Sequence, residues 1–131
     1  MIVVDTSVWV AALRSASSLE ASTFAALVDS DDVLLTAPVR TELLGGARAA
    51  DRKLLKRLLT ALPVAYPTDE TWRLMDGWAA LARDRGDRFG VGDLLIAAIA
   101  KQAGALVWSL DADFARMERL KFVALYEPLP D

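Results

Sequence analysis

The chain has 131 residues, 54% of them hydrophobic, which suits one domain with a core large enough to stand without covalent or metal staples. It contains neither cysteine nor histidine, which excludes disulfide frameworks, thiol or imidazole catalysis and the usual zinc ligands. A formal net charge of -3 argues against a protein that grips nucleic acid through overall positive charge.

Residues 1–5 read as a continuously apolar buried strand ending in Asp5, and Thr6 and Ser7 offer capping hydroxyls to a helix through Val8, Trp9 and Leu13. Ser17 and Glu20 have the spacing of a capping box for a second helix over 18–29. Val33 to Thr36 form a short strand, and Pro38 suits the first turn of a helix that carries Glu42 and stops near Gly45-Gly46. A basic helix follows over about 49–61. Val64 to Tyr66 read as another strand. Thr68, Asp69 and Glu70 then open a helix whose core-facing positions are Leu74, Trp78 and Leu81, ending near Gly86.

After a loop over 86–92, Asp93 opens a strongly apolar helix, Leu94 to Ala103, closed by Gly104. Leu106 to Ser109 read as a strand, Asp111 to Leu120 as a short helix and Phe122 to Leu125 as a final edge strand. Strand and helix in alternation predict an α/β fold with a mostly parallel sheet between helix layers, spanning 1–131 as one domain. No basic stretch leads into an apolar run with a small-residue cleavage site, and no apolar stretch is long enough for a bilayer, so a cytoplasmic chain with no membrane contact is expected.

Charge is unevenly spread. Between Arg40 and Thr60 six basic residues face two acidic ones, a local +4. Arg48, Arg52 and Lys56 recur at every fourth residue and so share one side of the predicted basic helix, which makes either a solvated face or a strip that positions phosphates. Arg88, in the glycine-rich loop before Asp93, is a further candidate nucleic-acid contact or a plain surface residue.

Four acids stand at the junctions of apolar segments: Asp5, Glu42, Asp93 and Asp111. Singly, each has an ordinary explanation, Asp5, Asp93 and Asp111 as helix caps or first-turn acids and Glu42 as a solvated helix residue. Jointly, they are placed to meet at one end of a parallel sheet, where open α/β folds bind ligands.

The ordered set Val3-Val4-Asp5-Thr6-Ser7, Arg40-Thr41-Glu42-Leu43, Asp93-Leu94-Leu95-Ile96-Ala97-Ala98 and Ser109-Leu110-Asp111-Ala112-Asp113-Phe114 resembles the PIN-domain ribonucleases, and within them the VapC-type toxins of toxin–antitoxin pairs. The resemblance implies a PIN-like three-layer α/β/α sandwich. It carries the metal-binding, catalytic acids to Asp5, Glu42, Asp93 and Asp111, and the neighbouring hydroxyls to Thr6 and Ser109, with Asp113 in a supporting place beside them. It further implies endonucleolytic RNA cleavage leaving a 3′-hydroxyl and a 5′-phosphate, assembly as a homodimer, and silencing by a small VapB-type antitoxin.

Crowded carboxylates call for a hard divalent ion, and oxygen-only ligands point to Mg²⁺ or Mn²⁺. Two other classes fit an acidic α/β domain. A phosphoacceptor domain of receiver type wants paired acids after its first strand, where this chain has Asp5 alone; an inactive PIN-like binding domain has no need of all four acids.

Overall fold

The computed structural model describes residues 1–129, so the last two positions of the expected 1–131 domain lie outside the described residues. Strands β1 (Ile2–Val4), β2 (Val33–Thr36), β3 (Val64–Ala65) and β4 (Leu106–Trp108) form one sheet in the order β3-β2-β1-β4, every pairing parallel. All residues of β1 and β2 are buried. Successive strand residues point to opposite faces, so unbroken burial requires cover on both, which makes three layers, α/β/α.

Helices α1 (Thr6–Arg14), α2 (Leu19–Asp29), α3 (Ala37–Gly46), α4 (Arg52–Thr60), α5 (Asp69–Asp84), α6 (Val91–Ala103) and α7 (Ala112–Arg119) supply that cover. The most deeply placed is α6, buried at Leu94 and at every residue from Ile96 to Ala100, with three alanines that admit its neighbours closely. Its end is set by Gly104, whose φ of 66° lies in the left-handed region that an L side chain resists.

Register puts the site-bearing junctions side by side. Val4 pairs with Trp108, and the Asp5 amide donates to the Trp108 carbonyl at 2.9 Å, so the chain leaves β1 and β4 at the same level. The strand order reverses direction between β1 and β4, which opens a crevice at their carboxyl ends.

Several local details differ from the sequence pattern. Ser18, not Ser17, caps α2, accepting from the Ala21 amide at 3.1 Å, because it stands three residues before that donor. Asp5 itself caps α1, the ordinary role open to it from sequence, in place of the Thr6 and Ser7 hydroxyls. Helix α6 begins at Val91 with Gly90 as cap, so Asp93 is its third residue and not its opener. The inward stripe of α5 runs Thr71, Met75, Trp78, Ala82, leaving Leu74 half-buried and Leu81 exposed. Tyr66 lies beyond β3 and is exposed, and the expected 122–125 strand is reduced to one parallel bridge between Leu125 and Val107.

Beneath that bridge, Phe122 stacks on Trp78 with ring centroids 4.4 Å apart and planes 7° from parallel. Phe122 is 1% exposed, so truncation leaves a cavity the size of its ring. Phe122→Ala should cost about 3–5 kcal/mol in a urea unfolding titration; a loss below about 1 kcal/mol would mean that the neighbours collapse into the space.

Candidate metal centre

Asp5 is the anchor of the site. Only 6% exposed, it directs Oδ2 at the Ser7 hydroxyl (2.7 Å), the Ser109 hydroxyl (2.9 Å) and, more weakly, the Ser7 amide (3.4 Å). The Ser7 hydroxyl also accepts from the Leu110 amide at 3.0 Å, and that of Ser109 from the Asp111 amide at 3.0 Å. Two serines thus tie the β1–α1 junction to the β4–α7 junction. All three donors converge on Oδ2, and among the described residues no hydrogen bond reaches Oδ1.

The hydroxyls that hold Asp5 are those of Ser109 and of Ser7, which the sequence offered only as a helix-capping hydroxyl. Thr6 has a different place. Its Oγ1 is buried without a hydrogen-bond partner among the described residues, yet lies near enough to Glu42 to favour that carboxylate slightly. No hydrogen bond of ordinary geometry forms at this hydroxyl among the described residues.

Asp93, in the first turn of α6, and Asp111 and Asp113, at the start of α7, each place one carboxylate oxygen within 4.8 Å of the other two. Asp111 caps α7 by accepting from the Asp113 amide at 2.9 Å. Asp113, given only a supporting place by the sequence, belongs to this tightest trio; Asp5 and Glu42 stand outside it but within electrostatic reach. Burial first, then the charges of Asp111, Asp5, Asp113 and Glu42, push the Asp93 carboxyl up to about 6. Burial and then Asp5 raise Glu42 as well.

Unit charges about 5 Å apart near a protein surface repel by roughly 3 kcal/mol before salt screening. Several such pairs rival the roughly 5–15 kcal/mol net stability of a domain. The acids therefore demand relief, by protons or by a cation. Every donor of the trio is a carboxylate oxygen, a set that fits a hard divalent ion.

One cation is built in. Arg116 reaches Asp113 Oδ1 at 2.6 Å and Asp87 Oδ1 at 2.8 Å while its guanidinium lies 4.7 Å from the centre of the Phe89 ring. The sequence signal was the i, i+3 spacing of Asp113 and Arg116. Among the expected nucleic-acid contacts, Arg52 and Lys56 are exposed on α4, whereas Arg48 precedes that helix and pairs with Asp51 at 2.8 Å, so the four-residue repeat does not form one helical strip. Arg88 is exposed on a cavity of about 480 Å³ that Arg83, Phe89 and Leu94 also line. A second cleft of about 650 Å³, between α1, α3 and α4, runs from Thr6 and Glu42 to the exposed Leu13 and Leu54. No helix among the described residues is long and apolar enough to cross a membrane.

An acid with a higher pKa folded than unfolded binds its proton more tightly in the folded state. The penalty of the charged Asp93 is thus fully present above about pH 6 and fades as pH falls from there towards the unfolded value of 3.8. In EDTA, thermal melts should rise between pH 7.5 and 5, and Asp93→Asn should be at least as stable as the parent at pH 7.5 with a flatter profile. A parent profile that falls over this range would contradict the assignment.

The PIN domain family model matches residues 2–120. The chain is 32% identical to the VapC ribonuclease Mb1587 of Mycobacterium bovis over 92% of this chain and 93% of that one. It is 33% identical to the ribonuclease VapC10 of Mycobacterium tuberculosis, over 92% and 91%. In three dimensions it is similar to the VapBC2 structure from Rickettsia felis bound to a promoter DNA fragment, with a TM-score of 0.80 at 18% identity, covering 96% of this chain and 98% of that one. With its acids gathered at the reversal point of a parallel sheet, and with such relatives along nearly its whole length, the chain belongs to the PIN-domain family, among the VapC ribonucleases.

Proposed function

We propose that this protein is a metal-dependent endoribonuclease, the toxin of a VapBC-type pair, which hydrolyses RNA phosphodiester bonds at the Asp5, Glu42, Asp93, Asp111 centre and is neutralised by a cognate antitoxin. The observation that carries the reading is the trio of carboxylates within 4.8 Å beside a buried, hydroxyl-anchored Asp5, in a chain of this family. The named ribonuclease relatives support the activity.

Mg²⁺ or Mn²⁺ is the proposed ion, held by Asp93, Asp111 and Asp113 with the free Oδ1 of Asp5. When bound, it supplies positive charge that acidifies water and offsets the charge developing on phosphorus-bound oxygens. The protein's own groups do the rest. Ser7 and Ser109 hold the Asp5 carboxylate by Oδ2, so its orientation is fixed before substrate arrives. Glu42, raised by burial and by Asp5, is placed to orient a water and hold its proton, work that falls to carboxylates in a chain without histidine. Cleavage leaves a 3′-hydroxyl and a 5′-phosphate. A receiver-type acceptor site is disfavoured, because a single acid follows β1 and Ser109-Leu110-Asp111 follows β4 with no lysine.

The neighbours VapBC2 of Rickettsia felis and VapBC-1 of Haemophilus influenzae support an antitoxin partner. The cleft beside Glu42, apolar at Leu13, Leu54 and Leu58 and lined by charges of both signs at Arg14, Glu42, Arg48 and Asp51, suits a segment with apolar side chains. The toxin is proposed to act in the cytoplasm as a homodimer.

Purified protein should cleave RNA with Mg²⁺ or Mn²⁺ and stop in EDTA, and Asp93→Asn should lower the rate by about a hundredfold or more. Undiminished cleavage by Asp93→Asn would refute the site. If α4 positions phosphates, replacing Arg52 and Lys56 by Gln should flatten the salt dependence of RNA binding by roughly 1–1.5 in log–log slope. An unchanged slope would assign that face to solvent.

A further inference from the structure

Arg116 bonds both to the acidic trio and to the loop leading into α6. One guanidinium nitrogen meets Asp113 Oδ1 at 2.6 Å and the other meets Asp87 Oδ1 at 2.8 Å. Its flat face rests 4.7 Å from the Phe89 centroid, Phe89 packs edge-on to Phe122 at 6.3 Å, and Phe122 stacks on Trp78. The cation therefore sits at the outer end of a row of rings rooted in the core.

We propose that Arg116 is a positioning residue for the metal centre: it takes one oxygen of Asp113 and leaves the carboxylate turned towards Asp93 and Asp111, while its bond to Asp87 fixes α7 against the loop that precedes Asp93. The proposal rests on the reading of those acids as a divalent-ion site. Its physical basis is the repulsion within the trio. Without a nearby cation, Asp113, only partly buried in a first helical turn, lowers its energy by swinging away from Asp93 and Asp111. A solvated ion pair on a helix does not hold a carboxylate in place, since both side chains stay mobile. Arg116 differs because two carboxylates and a ring face restrain a single planar group, and it is 31% exposed. Lysine has the charge but not the fork.

The test is Mn²⁺ affinity of the full chain, read by electron paramagnetic resonance titration at pH 7.5, with melting temperature in EDTA measured alongside. Arg116→Met should weaken Mn²⁺ binding about 10–100-fold, the range for groups that orient metal ligands, and Arg116→Lys should fall between it and the parent. Asp113→Asn should weaken binding on its own, and adding Arg116→Met to it should cost several-fold less than Arg116→Met does in the parent, because Arg116 acts in large part through Asp113. Parental affinity in Arg116→Met with only a lower melting temperature would overturn the proposal, leaving Arg116 a stabilising brace; so would independent, multiplying effects of the two substitutions. Should Arg116→Met fail to fold by circular dichroism, Arg116→Lys decides alone: weakened Mn²⁺ binding with an unchanged spectrum supports the proposal, and parental affinity overturns it. A parent that binds no Mn²⁺ would instead remove the metal-site reading itself, and the positioning role with it.

Discussion

Mutual repulsion among carboxylates is the constraint around which this molecule is organised. Asp93, Asp111 and Asp113 meet within 4.8 Å, with Asp5 and Glu42 close enough to push on them. Such a group assembles only if the backbone positions beneath it are fixed by something stronger. Here that is the pairing of β1 with β4, the burial of α6, and the two bonds that cross between their junctions, Ser109 to Asp5 and the Leu110 amide to Ser7. The core holds the charges together, and burial first, then the neighbouring carboxylates, raise the Asp93 pKa.

The same constraint explains how hydrogen bonds are distributed. Asp5 spends one oxygen entirely on hydroxyl and amide donors and keeps the other clear, which separates the task of anchoring from that of binding. Arg116 divides its guanidinium in a comparable way between Asp113 and Asp87. Asp111 combines capping α7 with membership of the acidic trio. Asp5, Asp111 and Asp113 are thus each turned by a contact made within the fold itself, which is what pre-organisation means in structural terms.

An acidic centre that must receive a polyanion also needs positive charge near it. The chain reconciles the two locally: its overall charge is -3, yet α4 carries Arg52, Lys53, Lys56 and Arg57 on its exposed surface, and Arg88 stands on the loop before α6. Between α1, α3 and α4 lies the cleft that the exposed Leu13, Leu54 and Glu42 line together with Arg14 and Arg48.

Much of this was legible in the residues themselves. The apolar runs before Asp5 and Asp111, the β2 run with Pro38 after it, and the alternation of short strands with helices determined an α/β fold with acids at its junctions, because burial patterns and breakers act within a few residues. Local signals also misled where neighbouring choices were nearly equal, as with Ser17 against Ser18 and Leu81 against Ala82. What only the tertiary structure decided was proximity: the order β3-β2-β1-β4, the bond from Ser109 to Asp5 across 104 residues, the admission of Asp113 to the trio, and the hold of Arg116 on a loop 29 residues away. Contacts at such separations leave no periodicity to read. They exist because packing the sheet and α6 brings distant backbone to one place, and the hydroxyls and guanidinium found there take whichever partners the geometry offers.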